Sequence, residues 1–352
     1  MAKIKSVLVL NEGFSDNLGD QAINESILYL LHENNIKNIT SIGLTSSRTH
    51  VTDIKKKYYK TFFKDQLRKV YPKRIGWIFR NVSRVFKISK NKYDLVIIGG
   101  GQLLLSNKTF PISLFIWIYM LKLFGNKSIV MLGIGATAPS GIIDKTLISY
   151  VVKNLSDIYV RDINSQKLLK EFYNVKANII DDVAFLYPKV YPINNNLNEG
   201  ILLGVVSFEE VYKTYNKEVV SINEYYELYI NLLDTNNISL DNVSLFYTTI
   251  LDKKESLNFM KYVEVTYKIS IPLKETDTLK NLVYQISTHK FIVSGRMHAL
   301  ILGLSYEKKI FIFNISQKII EFQRQYFNEN INILQLQNQI GLKFKYIVSK
   351  FI

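Results

Sequence analysis

The chain has 352 residues, of which 47% are hydrophobic and none is cysteine, and its formal net charge is +15. This length predicts two domains, and the lack of cysteine excludes disulfides, thiolate catalysis and thiolate-bound metals. The amino-terminal run "MAKIKSVLVLNEGF" lacks a small-residue cleavage site, so it predicts a first core strand and a cytoplasmic protein. The charge favours anionic partners in general, but no nucleic-acid-binding module accompanies it, and we expect no nucleic acid partner.

Along the first half of the chain, short apolar runs of strand length alternate with segments of helical periodicity. The strand-like runs are residues 5–10, 94–100, 128–135, 158–162 and 178–186. The helical segments are residues 20–35, 110–124 and a segment around 165–172. The segment 110–124 is shorter than the roughly 20 residues of a membrane-spanning helix and carries Lys122, so it predicts a buried helix. Runs that are apolar on both faces and separated by helices predict a parallel sheet covered on both sides.

The pattern breaks at "YPKVYPINNNLNEG", which is rich in proline and asparagine and predicts a linker over residues 188–200. A second series of strands and helices follows, at 201–207, 223–235, 242–249, 254–262, 278–287, 290–295, from Arg296, and 309–313. We therefore predict an α/β chain of two Rossmann-like, doubly wound domains that face each other across a cleft. The predicted domains are residues 1–187 and 201–352, and the last helix could cross back to the first domain.

In open parallel sheets, ligands bind beyond the carboxyl ends of the strands, and several of these positions are polar or glycine-rich in this chain. The candidate residues are Asn17, Gly19 and Asp20 after the first strand, Gly99, Gly100 and Gly101 in "GGGQ", and Gly135 in "GIGATAPSG". Glycines let backbone N–H groups approach a ligand closely and form a concavity that binds anions. Tight turns and helix caps are the alternative explanation for each cluster.

Several classes of site lose support because their motifs are missing. Neither glycine loop is a full dinucleotide-binding or P-loop motif. The sequence has no H-E-x-x-H, no other ligand-spaced metal cluster and no G-x-S-x-G. We therefore expect no cofactor and no catalytic metal, and hydrolase chemistry is disfavoured.

The segment "FIVSGRMHALILGL", residues 291–304, interrupts an apolar run with Gly295, Arg296 and His298. Because Gly295 ends a predicted strand, the pattern predicts that Arg296 and His298 lie in the first turn of a helix that points into the crevice. The N–H groups and dipole of a helix start favour an anion, and a guanidinium binds phosphate or carboxylate through two hydrogen bonds. The alternative is that Arg296 forms an ion pair and His298 packs locally.

Seven lysines and arginines interleave with apolar residues in "YPKRIGWIFRNVSRVFKISKNK", residues 71–92. This pattern is typical of a helix that lies on a membrane surface. It is equally typical of a connector whose apolar side packs on the core. Contact with the inner face of the membrane through residues 71–92 is therefore one of two hypotheses for this segment.

Six segments, in this order and at similar spacing, resemble signature segments of the polysaccharide pyruvyl transferase family. They are "DNLGDQAI", "YDLVIIGGGQLLLS", "GIGATAPSG", "YVRDINSQKLL", "IIDDVAFLY" and "VSGRMHALILGL", and with the following lysine they span residues 16 to about 320. The resemblance implies a fold similar to that of GT-B glycosyltransferases. It also implies transfer of the enolpyruvyl unit of phosphoenolpyruvate to two hydroxyls of one sugar, with release of phosphate.

The resemblance assigns the anion contacts of this reaction. It implies that Arg296 and His298 hold phosphoenolpyruvate, which is a donor substrate and not a cofactor, and that His298 could protonate its methylene carbon. It further implies that Arg161 is a second anion contact, for which a salt bridge to Asp162 or a neighbouring acid is the alternative. Lys318 matches a lysine that often follows the last strand in the family, and a surface position is the alternative.

The remaining implied contacts concern the sugar acceptor, which could be linked to a lipid. Asp20 and Asp182 are candidates for hydroxyl contacts or for the general base, with helix capping the alternative for Asp20 and loop hydrogen bonding for Asp182. Family members often carry a histidine or proline before an aspartate after the strand at 242–249. In this chain the run is "YTTILDKKE", so only Asp252 remains, and His289 is out of register to replace the histidine.

Two other functional classes stay open at this point. A GT-B glycosyltransferase would use the glycine loops and the Arg296 turn to bind the diphosphate of a nucleotide sugar. A non-catalytic protein would bind an acidic glycan or a surface assembly through residues 71–92. Fold alone does not separate these classes, because function depends on the site.

Overall fold

The structure is a computed structural model that describes residues 6–46, 73–107, 109–193, 200–215, 221–327 and 331–351. Its contacts divide the chain into two compact units. The first unit comprises Met1–Ser15, Asp20–Val183 and Gln337–Ile352, and the second comprises Asp16–Gly19 and Ala184–Leu336.

Each unit contains one parallel sheet. The first sheet has the strand order β2-β1-β3-β4-β5-β6 and the second the order β10-β9-β7-β8. The strands are β1 (Val7–Asn11), β2 (Ile39–Gly43), β3 (Leu95–Gly99), β4 (Ile129–Ile134), β5 (Asp157–Val160), β6 (Asn178–Ile179), β7 (Ile201–Gly204), β8 (Val243–Phe246), β9 (Phe291–Ser294) and β10 (Lys309–Ile312).

Helices connect the strands in both series. The longer helices are α1 (Leu18–Glu33), α2 (Lys73–Ser89), α3 (Phe110–Leu123), α4 (Ile142–Lys153), α5 (Ile163–Tyr173), α6 (Ile222–Thr235), α7 (Ile250–Tyr267), α8 (Leu279–Thr288), α9 (Met297–Ser305), α10 (Gln317–Phe327) and α11 (Ile333–Ser349). Short helical turns are formed by Val183–Leu186, Tyr187–Val190, Phe208–Tyr212, Lys213–Tyr215 and Leu240–Asn242.

The first unit buries β1, β3 and β4 along their whole length. Apart from Asn11, the side chains of these strands are apolar, so both faces of the sheet require cover, which the helices provide. Trp117 of α3 is fully buried and its indole N–H donates to the carbonyl of Leu44, at 3.0 Å. At the end of the chain, the Lys350 ammonium binds the Asp157 carboxylate at 2.8 Å, which ties the residue after α11 to the start of β5.

The second unit has a core rich in aromatic side chains. The ring of Tyr229 stacks on that of Phe313, with centroids 3.9 Å apart, and Phe259 packs edge-on against Tyr229. The start of α6 carries a capping box, in which the Ser221 hydroxyl accepts from the Glu224 N–H and the Glu224 carboxylate accepts from the Ser221 N–H. Polar caps of this kind define where helices begin in the sequence.

The prediction of an α/β chain with two parallel sheets is confirmed. The prediction of a strand over residues 178–186 is wrong beyond Ile179, because Asp181 and Asp182 interrupt the apolar run and Val183–Leu186 form a 3-10 turn. Strand β2, which the apolar pattern did not reveal, has only partly buried residues over its first three positions. Residues 194–199 of the predicted linker lie outside the described residues.

Candidate functional site

In the second unit, the turn between β9 and α9 carries Gly295, Arg296 and His298. Arg296 has an extended backbone, with φ −95° and ψ 115°, and it is the N-cap of α9. Its predicted place inside the first helical turn is therefore wrong by one position, whereas His298 does lie in that turn. A Cβ on Gly295 would lie 3.1 Å from the carbonyl oxygen of Phe313, so a side chain there would require the segment after β10 to shift slightly.

The Arg296 guanidinium is held by a buried carboxylate from another element. Its Nη2 and Nε donate to Oδ1 and Oδ2 of Asp252, at 2.6 and 3.0 Å. Asp252 lies in the first turn of α7 with 2% of its side chain exposed, whereas 25% of the Arg296 side chain is exposed. Burial alone would lower the pKa of Arg296, but the Asp252 carboxylate raises that pKa above its ordinary value. Arg296 is therefore positively charged, and the Nε and Nη2 edge of its guanidinium is already bound by Asp252.

Backbone and hydroxyl donors complete the environment of Asp252. Its Oδ1 also accepts from the N–H of Ser207 at 3.1 Å, and its Oδ2 accepts from the Thr248 hydroxyl at 3.0 Å. With these two donors and two from Arg296, both carboxylate oxygens are fully engaged. Charge-assisted hydrogen bonds in this geometry are the strong ones in proteins, so the direction of the guanidinium is fixed.

A second buried carboxylate, Glu255, lies one helical turn after Asp252. It accepts from the N–H of Phe208 at 2.8 Å and from the Tyr226 hydroxyl. Burial raises the pKa of Tyr225, Tyr226 and Tyr229 well above the ordinary tyrosine value, so these phenols are neutral. This network was not predicted from the sequence, although residues 252–255 have an Asp-x-x-Glu spacing.

The second unit also includes Asp16–Gly19, the segment before and at the start of α1. The Leu18 N–H donates to the Thr248 carbonyl at 3.0 Å, and the Asn17 side chain accepts from the Gly19 N–H at 3.1 Å. A Cβ on Gly19 would lie 2.3 Å from Nδ1 of His298. Gly19 therefore packs directly against the imidazole, which is buried.

In the first unit, the glycines of "GGGQ" bring α1 close to β3. Gly100 has φ +72°, and a Cβ there would lie 1.9 Å from the Cγ2 atom of Ile23. A Cβ on Gly99 would lie 2.5 Å from Ile27. The Gly100 N–H donates to the carbonyl of Leu132 at 2.8 Å, so this amide is not directed at a ligand. These contacts favour close helix packing as the reason for Gly99 and Gly100.

Gly101 lies beside Asp20, which is in the first turn of α1. Gly101 has φ +73°, and a Cβ there would lie 3.3 Å from Oδ1 of Asp20. The Ser15 hydroxyl donates to the other Asp20 oxygen at 3.3 Å. Asp20 is only partly buried, which leaves it accessible to a hydroxyl ligand.

Arg161 and Asp182 form a buried ion pair after β5 and β6. The Arg161 Nη1 donates to Oδ2 of Asp182 at 3.0 Å, while Oδ2 of Asp162 lies 3.8 Å from the Arg161 Nε. A Cβ on Gly135 would lie 3.0 Å from the Arg161 Nη2, so Gly135 makes room for the guanidinium. Asp182 is 2% exposed, and this geometry favours hydrogen bonding in the loop over contact with an acceptor hydroxyl.

Glu12, which was not predicted as a site residue, is an unusual carboxylate directly after β1. Its two oxygens accept from the N–H and the hydroxyl of Thr45, at 2.8 and 2.9 Å. The pKa of Glu12 is raised from 4.5 to about 7, mainly by burial and in part by Asp20, while the Thr45 hydrogen bonds and Arg84 oppose the rise. A shift that arises from neighbours distant in sequence leaves no signal in the sequence itself.

The predicted site residues therefore fall into separate groups. Gly295, Arg296, His298, Asn17 and Gly19 belong to the second unit. Asp20, Gly101, Gly135, Arg161 and Asp182 belong to the first unit, and Lys318 lies half-buried in the first turn of α10. Within the described residues, no group of three or more histidine and acidic side chains is arranged to hold a metal ion.

Comparison with solved structures identifies the class of fold. The UDP-GlcNAc 2-epimerase of Methanocaldococcus jannaschii, solved with UDP-GlcNAc and UDP, is 12% identical, with TM-score 0.54 and 98% of each chain covered. S. aureus MnaA, solved with UDP, is 8% identical, with TM-score 0.52 and coverage of 96% of this chain and 91% of that chain. An α-glucosyltransferase solved with UDP and a 13-mer DNA is 8% identical, with TM-score 0.51 and coverage of 99% and 96%. The chain thus has the fold of GT-B glycosyltransferases and related epimerases.

The family follows from the sequence. The model of the polysaccharide pyruvyl transferase family matches residues 17–317, most of the chain, and the chain belongs to this family of enzymes. The resemblance in the signature segments is thereby confirmed. A comparison with curated protein sequences gave no match.

Proposed function

We propose that this enzyme transfers the enolpyruvyl unit of phosphoenolpyruvate to a sugar of a surface polysaccharide, such as a capsule or exopolysaccharide, or to a precursor of one. Two hydroxyl oxygens of the sugar form bonds to C2 of the donor, and the bond from C2 to the phosphate oxygen breaks. One hydroxyl proton ends on the methylene carbon, which becomes a methyl group, and the other leaves with phosphate. The product is a pyruvate ketal.

The observation that carries the proposal is the orientation of Arg296. Asp252 binds the Nε and Nη2 edge, and among the described residues Nη1 has no hydrogen-bond partner. A quarter of the side chain is exposed, and the residue is the N-cap of α9, where N–H groups favour an anion. A carboxylate or phosphate of the donor would bind to both the remaining guanidinium edge and these N–H groups.

In this proposal His298 protonates the methylene carbon. It lies two residues after Arg296, in the same helical turn, so a donor held at Arg296 has an imidazole at the next position along the helix start. General acid catalysis of this kind typically contributes about 10²–10⁴-fold to the rate. Arg161 would be a second anion contact through a guanidinium that its pair with Asp182 holds in place.

In this proposal Asp20 and Asp182 have different roles toward the sugar acceptor. Asp20 is partly exposed in the first turn of α1 and is the better candidate for binding a sugar hydroxyl or taking its proton. Asp182 is buried against Arg161, which favours a positioning role. Asn17, Gly19, Gly101 and Lys318 remain candidates for substrate contacts.

The decisive experiment measures phosphate release from phosphoenolpyruvate in the presence of candidate sugar acceptors. Phosphoenolpyruvate should also raise the melting temperature, because a ligand that binds only the folded state stabilises it. Arg296→Lys should abolish this shift while circular dichroism stays unchanged, and Arg324→Lys, on the exposed side of α10, should keep it. A shift with a uridine or guanosine diphosphate sugar, and none with phosphoenolpyruvate, would instead favour the glycosyltransferase alternative.

We further propose that the reaction takes place in the cytoplasm at the inner face of the membrane, on an acceptor linked to a lipid. None of the helices in the described part of the chain is long and apolar enough to cross a membrane. The proposal predicts that a lipid-linked acceptor supports faster phosphate release than the same sugar without its lipid, and equal rates would contradict it.

A further inference from the structure

Helices α2 and α3 of the first unit together form a surface without acidic residues. The sequences of Lys73–Ser89 and Phe110–Leu123 contain no aspartate or glutamate. The two helices meet near their carboxyl ends, where the Phe86 ring packs edge-on against Phe124, with centroids 5.3 Å apart. The cations of these two helices can be neutralised only by acidic side chains of other elements, as Arg74 is by Asp144 of α4.

One face of α2 exposes large apolar side chains. Phe79 is 79% exposed, and Ile75 and Phe86 are each 41% exposed. Spacings of four and eleven residues place these three side chains on one side of a helix. Isolated exposed apolar residues are ordinary, but three on one helical face, of which two are aromatic, form an apolar stripe.

The opposite face of α2 is anchored in the core. Trp77 and Val85 are buried, and the Trp77 indole N–H donates to the Thr45 carbonyl at 2.8 Å. Arg84 points inward as well, donating to the carbonyl of Gly43 at 2.7 Å. Helix α2 therefore packs on the core with one side, as the connector hypothesis for residues 71–92 expects, while its apolar stripe remains exposed on the other, and membrane contact stays a prediction. Residues 71 and 72 lie outside the described part.

Helix α3, whose C-cap Phe124 contacts Phe86 of α2, also exposes large apolar side chains. Leu123 is 61% exposed and Tyr119, one turn earlier, is 45% exposed. Leu123 is the neighbour in sequence of Phe124, which contacts Phe86. The apolar surface, defined as Ile75, Phe79, Phe86, Tyr119 and Leu123, thus draws on two packed helices.

Cations border this apolar surface. Arg80 and Lys87 are exposed on α2, and Lys90 and Lys92 are exposed just after it. The Lys90 ammonium lies over the Phe86 ring, 4.4 Å from its centroid, so charge and apolar area are interleaved. Basic and aromatic side chains in this arrangement match an anionic bilayer, whose headgroups attract the cations while its acyl boundary accepts the rings.

We propose that the apolar surface of α2 and α3 docks on a bilayer of anionic phospholipid, with Phe79 inserted at the headgroup boundary. This inference deepens the proposed membrane location, but it does not depend on the donor or the acceptor. A second copy of the chain or a soluble acidic glycan are the competing occupants. Positive charge on both sides of a self-contact would repel, which disfavours a second copy.

The test is sedimentation of the full chain with phosphatidylcholine vesicles, with and without added phosphatidylglycerol. Binding should require phosphatidylglycerol and weaken as salt is raised. Phe79→Asp should lower the partition coefficient by at least about tenfold, because it replaces the most exposed ring with an anion. Val265→Asp, which changes a similarly exposed apolar residue on α7, should leave binding unchanged.

Charge and insertion can be separated with a second pair of variants. Replacing Arg80 and Lys87 by glutamine should weaken binding by about fivefold per cation and flatten its dependence on salt. The exposure of Phe79 makes a folding defect in Phe79→Asp unexpected, and circular dichroism checks this. Phosphate release with a water-soluble acceptor should be unchanged in that variant, so a failed donor assignment and a failed docking surface give different results.

Three outcomes would overturn the docking surface. They are equal binding of wild type and Phe79→Asp, binding to phosphatidylcholine as strong as to phosphatidylglycerol, and no vesicle binding at all. Concentration-dependent dimers that Phe79→Asp abolishes, without vesicle binding, would assign the surface to a second copy. Binding of a soluble acidic polysaccharide without vesicle binding would assign it to a glycan.

Discussion

The Asp252 carboxylate holds the Arg296 guanidinium edge-on, through Nη2 to Oδ1 at 2.6 Å and Nε to Oδ2 at 3.0 Å. The two residues come from the starts of α7 and α9, so the pair joins two segments of the second unit. Because the charges compensate each other, Arg296 alone does not provide a net positive site. Attraction for an anion then depends on the remaining guanidinium edge together with the N–H groups at the start of α9.

Removing one partner of the Arg296–Asp252 pair should lower the free energy of unfolding. Asp252→Asn leaves the guanidinium beside an amide, and we expect unfolding free energy to fall by about 3 kcal/mol, as for other buried pairs that lose one partner. Denaturation in urea measures this. The matched control is Asp277→Asn, whose pair with Lys253 is more exposed and should contribute less than about 1 kcal/mol. Similar losses in both variants would show that Asp252 has no special role.

The geometry at Gly100 predicts a strong and local effect of one methyl group. Gly100→Ala places a Cβ 1.9 Å from Ile23 on a residue with φ +72°, so we expect a loss of at least about 2 kcal/mol in unfolding free energy. Gly141→Ala is the control, because no atom lies within 4 Å of its added Cβ. Thermal denaturation of both variants should separate them clearly, and equal melting temperatures would contradict the close packing of α1.

Glu12 predicts a dependence of stability on pH. Its folded-state pKa is raised from 4.5 to about 7, so the folded protein binds a proton more tightly than the unfolded chain. The contribution of Glu12 to stability is then full below pH 4.5 and is lost as the pH rises through 7. The total change is at most about 3 kcal/mol.

Glu12→Gln isolates this contribution, because the amide does not titrate. The difference in unfolding free energy between wild type and the variant should fall between pH 4.5 and 7, and equilibrium denaturation at several pH values measures it. Asp20 and Arg84 also act on Glu12 and are kept in both proteins. A difference that is constant over this range would show that Glu12 titrates at its ordinary pKa.

The first unit offers a buried and an exposed ion pair for comparison. Asp182→Asn should lower unfolding free energy by about 3 kcal/mol, because it leaves the Arg161 charge buried without its carboxylate. Lys350→Met should change it by less than about 1 kcal/mol, although Asp157 and Tyr159 raise the pKa of Lys350, because about a third of the Lys350 side chain is exposed. Urea denaturation compares them, and the reverse order would contradict this assignment.

Much of the fold was predictable because strands that are buried on both faces consist of consecutive apolar residues, which are visible in the sequence. The segments Leu95–Gly99 and Ile129–Ile134 contain no polar side chain, and they form β3 and β4. The strand β2 was missed because its first residues, Ile39 to Ser41, are only partly buried and mix polar with apolar side chains. The predicted strand beyond Ile179 was wrong because Asp181 and Asp182 interrupt the apolar run, and Asp182 pairs with Arg161.

The sequence by itself determined the two parallel sheets, the position of the Gly295–His298 turn and the family, because these depend on local patterns and on short motifs. Only the tertiary structure decided that Arg296 pairs with Asp252, which lies 44 residues away, and that Glu12 has a raised pKa beside Thr45. The physical reason is that ion pairing and desolvation depend on neighbours in space. Contacts between distant segments are formed by the packing of helices on sheets, and no spacing in the sequence records them.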